Sequence, residues 1–512
     1  MIARALLSTF EKEGLVEFAR GLADLGVDLV ASGGTADHLE EHGIDTTRVE
    51  QLTEIPELLG GRVKTLHPRI HAAILARRDH PDDLAALDEH DIRPFDLVCV
   101  TLYPFTQVIS RRGVREEDAV EMIDIGGPSM LRAAAKNFAH VAPVCRPERY
   151  GSILAELRES GELSIETRRS LATETFAVTA AYEAAIARWF TDIDAFPEVF
   201  TPSFTKVSDL VYGENPHQRA AYYAEAGARR HLLSRVGQLH GRDLSYNNLA
   251  DLSAARMLSM EFTVPCCVIV KHANPCGVAV AGSIEEAYER ALASDPLSAY
   301  GGVIVFNRPV GDELGAKIAE QFVEVLLAPD YAEGGLEALR QKPATRILVD
   351  HERHRFDPTE KDFKRVLGGL LVQDRDWSTT ERDGMEVVSG EPGEADWGDL
   401  LFAWRVCKHV TSNAIVISNG LQTIGVGAGQ MSRVDAVKVA IEKAREHGHE
   451  LAGASLASDA FFPFPDGPRA ALEAGVTAII QPGGSKRDQD VIDAVEKAGA
   501  TMVFTHRRHF QH

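Results

Sequence analysis

The sequence predicts an α/β protein, and three observations lead there. Short apolar runs alternate with amphipathic helical stretches over roughly residues 1 to 190, the apolar run Gly26–Ala31 passes directly into a Ser/Gly turn and a helix, and the same alternation returns in the second part of the chain. Alternation of this kind builds a parallel sheet covered by helices.

Taken in order, Leu15–Leu25 has helical periodicity, and Gly26–Ala31 (GVDLVA) and Phe95–Thr101 (FDLVCVT) read as buried strands. Glu116–Met122 and Glu166–Phe190 are the further helical stretches. Thr191–Lys206 (TDIDAFPEVFTPSFTK) breaks both periods with its prolines, so it is the expected linker, with a domain boundary near residue 200. The second part opens with Tyr212–Gln218 (YGENPHQ) and carries the strands Cys266–Val270 and Gly301–Phe306 (GGVIVF). From His351 to Asp399 the chain turns polar, which marks an internal boundary between two related lobes. No short-period repeat or low-complexity tract points to a solenoid or a disordered array.

Composition narrows the partners. The 512 residues carry 54 Lys+Arg against 76 Asp+Glu, a net charge of −22, so polynucleotide and anionic membrane partners are disfavoured. Hydrophobic residues at 45% and charged residues at 25% are ordinary for a globular protein, and the length suggests about three or four domain units. No apolar run approaches the roughly 20 residues that span a bilayer, and MIARALLSTFEKEG becomes charged too soon for a secretory signal, so a cytoplasmic location is expected. The six scattered cysteines are expected to be reduced thiols.

Four segments carry candidate chemistry. Ser32-Gly33-Gly34-Thr35 follows a strand and opens a helix, where backbone N–H groups, hydroxyls and the helix dipole suit a phosphate, although Ser and Gly also serve merely to turn and cap. Gly61–Arg78 packs Arg62, Lys64, His67, Arg69 and His71 into one basic segment, which is either a solvated face or, since Thr65-Leu66-His67-Pro68 is poor helix material, a loop whose cations converge on a ligand. In Asp124–Asn137 (DIGGPSMLRAAAKN), Asp124 precedes a helix start and Lys136 is expected about two turns in; Tyr103 after FDLVCVT completes a set of Lys64, Tyr103, Asp124 and Lys136. Lys271-His272 ends the apolar strand CCVIV before the turn Ala273–Gly277, at the carboxyl end of a strand where α/β sheets bind ligands; a base beside an ammonium suits acyl or formyl transfer, whereas the wet end of a core strand is the bland alternative. Zinc deaminase chemistry fails on ligand count, because Ala279 stands where P-C-x-x-C needs its second cysteine, and Cys276 reads as a buried structural thiol.

Together, ASGGT, GRVKTLHPRIHAAILARR, DIGGPSMLRAAAKN, YGENPHQ, LSYNNLAD, KHANPCG, SAYGGVIVFN, TSNAIV, GVGAGQMSRV, SDAFFPFPD and QPGGSKRD resemble one family across nearly the whole chain: the bifunctional purine biosynthesis proteins, phosphoribosylaminoimidazolecarboxamide formyltransferase joined to inosine monophosphate (IMP) cyclohydrolase. The resemblance implies an N-terminal methylglyoxal-synthase-like domain (1–199) and a transformylase of two cytidine-deaminase-like lobes without zinc (200–365 and 366–512). It implies nucleotide and folate substrates and a homodimer with transformylase sites between subunits. The reaction is formyl transfer from 10-formyltetrahydrofolate to the aminoimidazole carboxamide ribotide (AICAR), giving FAICAR, then cyclisation of FAICAR to IMP with loss of water. A monovalent cation in the C-terminal lobes stays an open alternative.

By the same resemblance Lys64, Tyr103, Asp124 and Lys136 match the cyclohydrolase catalytic group, and Lys12, Ser32, Gly33, Gly34, Thr35, Arg62, Thr65, Gly126 and Gly127 its nucleotide-binding positions. Lys271 and His272 match the transformylase pair, with Tyr212, Asn413, Phe461 and Arg508 as substrate-site positions. Two positions depart from the family pattern: Phe10 stands in place of a hydroxyl, and Val211 in place of the arginine before YGENPHQ, for which Arg219, Lys486 or Arg507 would compensate. The alternatives are an N-terminal domain that only senses a phosphorylated effector, and a zinc deaminase.

Overall fold

The computed structural model describes residues 2–111, 113–191, 196–226, 231–351, 360–378 and 381–512. Residues 192–195 of the expected linker, and 352–359, 379 and 380 of the polar segment, lie outside the described residues. The chain forms two compact units, Met1–Thr205 with Ala224–Arg229, and Lys206–Tyr223 with Arg230–His512. Among the described residues no helix is long and apolar enough to cross a membrane.

The first unit holds β1 (Arg4–Thr9), β2 (Asp28–Ala31), β3 (Thr47–Arg48), β4 (Leu97–Thr101) and β5 (Ala142–Val144), in the order β3-β2-β1-β4-β5. Every pairing is parallel, and LVCVT of β4 is buried throughout, as a strand covered on both faces must be. β2 and β4 begin two residues later than the apolar runs suggest. Gly26 has φ +80° in the turn that ends the helix Leu15–Asp24, and the Asp96 carboxylate is spent accepting the N–H groups of Ala3 and Arg4 at 2.8 and 3.0 Å. The helix Ile165–Phe190 starts where the Ser164 hydroxyl accepts the Thr167 N–H at 3.1 Å.

β6 (Phe204–Leu210) and β7 (Ala220–Glu225) form a two-stranded sheet. The second unit then builds one topology twice. β8 (Gly237–His240), β9 (Cys266–Lys271), β10 (Asn274–Val280), β11 (Val303–Phe306), β12 (Val325–Ala328) and β13 (Arg346–Val349) lie in the order β10-β9-β11-β12-β13-β8. After the hairpin of β14 (Lys361–Val366) and β15 (Gly369–Asp374) come β16 (Glu386–Ser389), β17 (Ile415–Ser418), β18 (Thr423–Gly427), β19 (Ser455–Ser458), β20 (Ala478–Gln481) and β21 (Thr501–Phe504). Their order, β18-β17-β19-β20-β21-β16, repeats the first position by position. Only the central strands of each sheet run parallel; β9 and β17 pair antiparallel with both neighbours.

The lobes are fused. Leu252 and Leu258 of the helix Tyr246–Ser259, Leu400 and Trp404 of the helix Glu394–Cys407, and Val268, Val416 and Ile480 of the two sheets belong to one buried core. The expected division between residues 365 and 366 falls inside β14, whose hairpin with β15 carries the chain from one sheet to the next. The edge strands β10 and β18 meet, Val280 donating its N–H to the Leu421 carbonyl at 3.1 Å and Val278 to the Thr423 hydroxyl at 2.9 Å. Each edge strand has a helix pressed against glycine: a Cβ on Gly277 would stand 2.0 Å from the Ala291 carbonyl oxygen, and one on Gly427 2.0 Å from that of Ala436. Gly427→Ala should therefore lower stability by about 1–3 kcal/mol, read as an earlier urea midpoint; an unchanged midpoint would show that the helix gives way freely.

Candidate active sites

In the first unit the carboxyl ends of β1, β2 and β4 open into a cavity of about 690 Å³. Two helices begin at its wall, Gly33–Glu41 and Gly126–Lys136, so two positive dipole ends converge there, the Gly127 N–H already donating to Asp124 Oδ1 at 2.8 Å. The approach is close: a Cβ on Gly126 would stand 2.7 Å from Thr65 Oγ1, and one on Gly127 2.4 Å from Asp124 Oδ2. Thr35 Oγ1 donates to the Thr9 carbonyl at 3.1 Å and accepts from Lys12 Nζ at 3.0 Å, which fixes a lysine at the end of β1. Ser8 and Ser32 join hydroxyl to hydroxyl at 2.6 Å across β1 and β2.

Among the sequence-predicted residues, Lys12, Ser32, Gly34, Thr35, Arg62, Lys64, Thr65, Tyr103, Asp124, Gly126 and Gly127 line this cavity. Gly33 lies under it, 3.3 Å from Lys64 Nζ measured from the position its Cβ would take. Lys136 does not line it. It is the last residue of the helix Gly126–Lys136, three turns in rather than two, and exposed; the ten-residue rise carries it about 15 Å from the helix start. The basic segment also splits. Arg62 and Lys64 line the cavity, whereas His67 caps the helix Pro68–Leu75, its Nδ1 accepting the Arg69 N–H at 3.2 Å, and Arg69 and His71 ride on that helix. Thr65-Leu66-His67 stays irregular, and the helix begins at Pro68, where a first-position proline's missing N–H is unneeded.

The sequence reading missed Ser8, Thr9, Glu57, Glu121 and Met130. Ser8-Thr9, ending an apolar strand, is the one signal among these that was legible. Phe10 also lines the cavity and meets Tyr103 edge to face, with ring centroids 5.5 Å apart, so it supplies apolar wall where a hydroxyl was expected. The Arg62 guanidinium is held by the Glu121 carboxylate, which raises its pKa. Burial, followed by the charge of Lys64, lowers that of Lys12. Burial raises the Asp124 carboxyl, against the N–H groups of Gly127 and Tyr103 and the Lys64 charge, so it holds its proton to a higher pH than an ordinary carboxyl.

In the second unit Lys271 and His272 line a separate cleft of about 240 Å³, where the edges of β10 and β18 diverge, together with Asn274, Cys276, Asp295 and Lys443. β9 runs to Lys271, and the turn is shorter than expected: only His272 and Ala273 stand outside the strands, both with positive φ, and Asn274–Val280 is β10. The pair therefore sits on a tight antiparallel hairpin, not at the end of a parallel strand. Lys271 Nζ donates to the Tyr300 and Gly301 carbonyls at 2.7 and 3.2 Å, leaving its third hydrogen for the cleft. Cys276 lines the cleft and packs against the core, and burial pushes its thiol up to about 12, so it is held protonated and non-nucleophilic.

Tyr212, Asn413, Phe461 and Arg508 are not among the residues lining that cleft. Asn413 Oδ1 accepts from Arg433 Nη2 at 2.8 Å and its Nδ2 donates to the Gln430 carbonyl at 2.8 Å. Tyr212 is half-buried, its carbonyl accepting from Tyr246. Phe461 is exposed, and Arg508 stacks over Phe510 at 4.6 Å. Val211 is exposed, as are Arg219, Lys486 and Arg507, of which Arg507 donates to Ser378 Oγ at 2.6 Å. Among the described residues no three His, Cys, Asp or Glu side chains gather where they could hold a metal.

A parallel-sheet unit with a cation-bearing cavity, and a duplicated mixed-sheet unit with a Lys-His cleft, give an α/β enzyme two separate candidate sites suited to small anionic molecules. Residues 134–443 match the AICARFT/IMPCHase bienzyme family, and residues 14–129 the MGS-like domain. The chain is 48% identical over 516 residues to the bifunctional purine biosynthesis protein PurH of Anoxybacillus flavithermus, covering 100% of each. It is 48% identical over 529 residues to PurH of Magnetococcus marinus, covering 100% of this chain and 99% of that one. The crystal structure of ForH aligns with 37% of this chain and 96% of its own, at 37% identity and a TM-score of 0.34. The chain belongs to the AICARFT/IMPCHase bienzyme family, and its activities are formyl transfer to AICAR and cyclisation of the product to IMP.

Gly127→Ala forces a methyl against Asp124 and should lower ring closure about tenfold or more while formyl transfer persists. Unchanged closure in separate assays of the two steps would show that Asp124 need not be held where it stands.

Proposed function

We propose that ring closure occurs in the cavity of residues 1–199 and formyl transfer at the Lys271-His272 cleft of the fused lobes that follow, with 10-formyltetrahydrofolate as donor and a homodimer as the acting form. The observation that carries this is the convergence of Lys64, Tyr103 and Asp124 from three separate segments on one cavity, while Lys271 and His272 line another. The homodimer reading is supported by Tyr212, Phe461 and Arg508, which do not line the Lys271 cleft in this chain and which a second copy would bring to it.

In transfer, the amine nitrogen of AICAR is conjugated with an electron-poor ring and attacks the formyl carbon only with help. His272 takes the amine proton as the C–N bond forms, and the third hydrogen of Lys271 meets the developing oxyanion. The bond from the formyl carbon to the folate nitrogen then breaks, and that nitrogen receives the proton. Asn413, its amide fixed by Arg433 and Gln430, orients the carboxamide, and Phe461 borders a ring.

In closure, the carboxamide nitrogen attacks the formyl carbon and water leaves. An amide nitrogen is a weak nucleophile, so the gain comes from holding it at attack distance. Ser32–Thr35 and Lys12 take the phosphate, Lys64 stabilises the negative oxygen, and Asp124 with Tyr103 moves protons. Lys136 takes no part in this step.

Lys271→Ala and His272→Ala should each reduce transfer by about 100-fold or more and leave closure of supplied FAICAR intact; transfer at near wild-type rate in either would overturn the assignment. Lys64→Ala should damage closure alone, and equal loss of both activities would mean misfolding instead. Because burial raises the Asp124 carboxyl, closure should fail on acidification at a pH above the ordinary carboxylate range, and Asp124→Asn should remove that limb along with most of the rate. A profile flat through that range would deny Asp124 a role as base.

A further inference from the structure

The two lobes carry the same turn at the same place. In the first, Lys271-His272-Ala273-Asn274 joins β9 to β10; in the second, Asn419-Gly420-Leu421-Gln422 joins β17 to β18. Both central residues have positive φ in each: His272 +53° and Ala273 +60°, Gly420 +61° and Leu421 +63°. Such two-residue hairpins favour Asn-Gly, and a non-glycine residue there is strained. An aspartate on the helix preceding each hairpin holds each turn. Asp399 accepts the Gly420 and Leu421 N–H groups at 2.8 and 2.6 Å. Asp251 accepts the Ala273 N–H at 2.6 Å and that of His272 beside it. The second lobe spends glycine at the first central position, whereas the first lobe puts histidine there and lines a cleft with it.

We propose that Asp251 is a positioning residue for formyl transfer: its carboxylate clamps the strained His272-Ala273 turn so that the imidazole faces the cleft, while Asp399 is its structural counterpart in the lobe without the histidine. The proposal rests on the assignment of transfer to Lys271 and His272. Asp251 acts through the turn backbone that carries His272, and not on the reacting atoms. The other charged groups lining the cleft with His272 are Lys271, Asp295 and Lys443, and of these Lys271 also feels the Asp251 charge.

The test uses the full chain and steady-state transfer kinetics. Asp251→Asn keeps size and an oxygen acceptor but removes the charge. Its kcat should fall about tenfold, with the KM for AICAR within about twofold, because the substrate contacts remain. Asp399→Asn should leave the transfer kcat within about twofold of wild type. Asp251→Ser, a short uncharged acceptor, is the second variant should Asp251→Asn not fold, and its kcat should fall with KM held in the same way. A wild-type kcat in Asp251→Asn would overturn the proposal, and so would equal losses in the Asp251 and Asp399 variants, or a kcat loss accompanied by an equal rise in KM, which is what a merely structural aspartate gives. His272→Ala is run beside them: transfer surviving there sinks the assignment itself, whereas an inactive His272→Ala beside a fully active Asp251→Asn sinks only the positioning role.

Discussion

A molecule of net charge −22 repels a nucleotide phosphate and a folate carboxylate alike, so binding depends on a few cations held where backbone geometry fixes them. The first-unit cavity has three, Lys12, Arg62 and Lys64, set against Glu57, Glu121 and Asp124. Their signs balance on paper but not in effect. Glu121 holds Arg62, and burial moves Asp124 toward its neutral form. Lys12, half-buried and repelled by Lys64, is the group that gains most from an arriving anion. Two helix N-termini at the same wall add partial positive charge without adding a titratable group.

The second unit solves a different problem by duplication. One six-stranded topology is built twice and its inner helices share a core, which leaves two edge strands to meet and then diverge. Glycine lets a helix sit against each edge strand, and an aspartate clamps each hairpin. The lobes differ at the first central position of the hairpin, histidine in one and glycine in the other.

Much of this was legible in the sequence, for identifiable reasons. A strand running into SGGT, and GG before a helix, fix where backbone N–H groups face outward, and both segments reached the cavity. Lys136 was misplaced because helix length beyond Asp124 decides its position, and apolar pattern does not show which turn faces the sheet. The antiparallel character of β9 was hidden, since a fully buried strand reads the same in either direction. Glu57 and Glu121 had no signal at all: an acidic residue on a cavity wall has the same local pattern as one on a solvated face. Tyr212, Asn413, Phe461 and Arg508 are brought together by no local rule, and their placement belongs to tertiary packing.

The claim that local cations overcome the bulk charge is tested most directly by measuring IMP affinity for the full chain by calorimetry over a range of salt concentrations, in wild type and in the double variant Lys12→Ala/Lys64→Ala. The account predicts that wild-type affinity falls as salt rises, and that the double variant binds about tenfold or more weakly with a flatter salt dependence. Wild-type affinity indifferent to salt, or a double variant that binds as tightly as wild type, would contradict it.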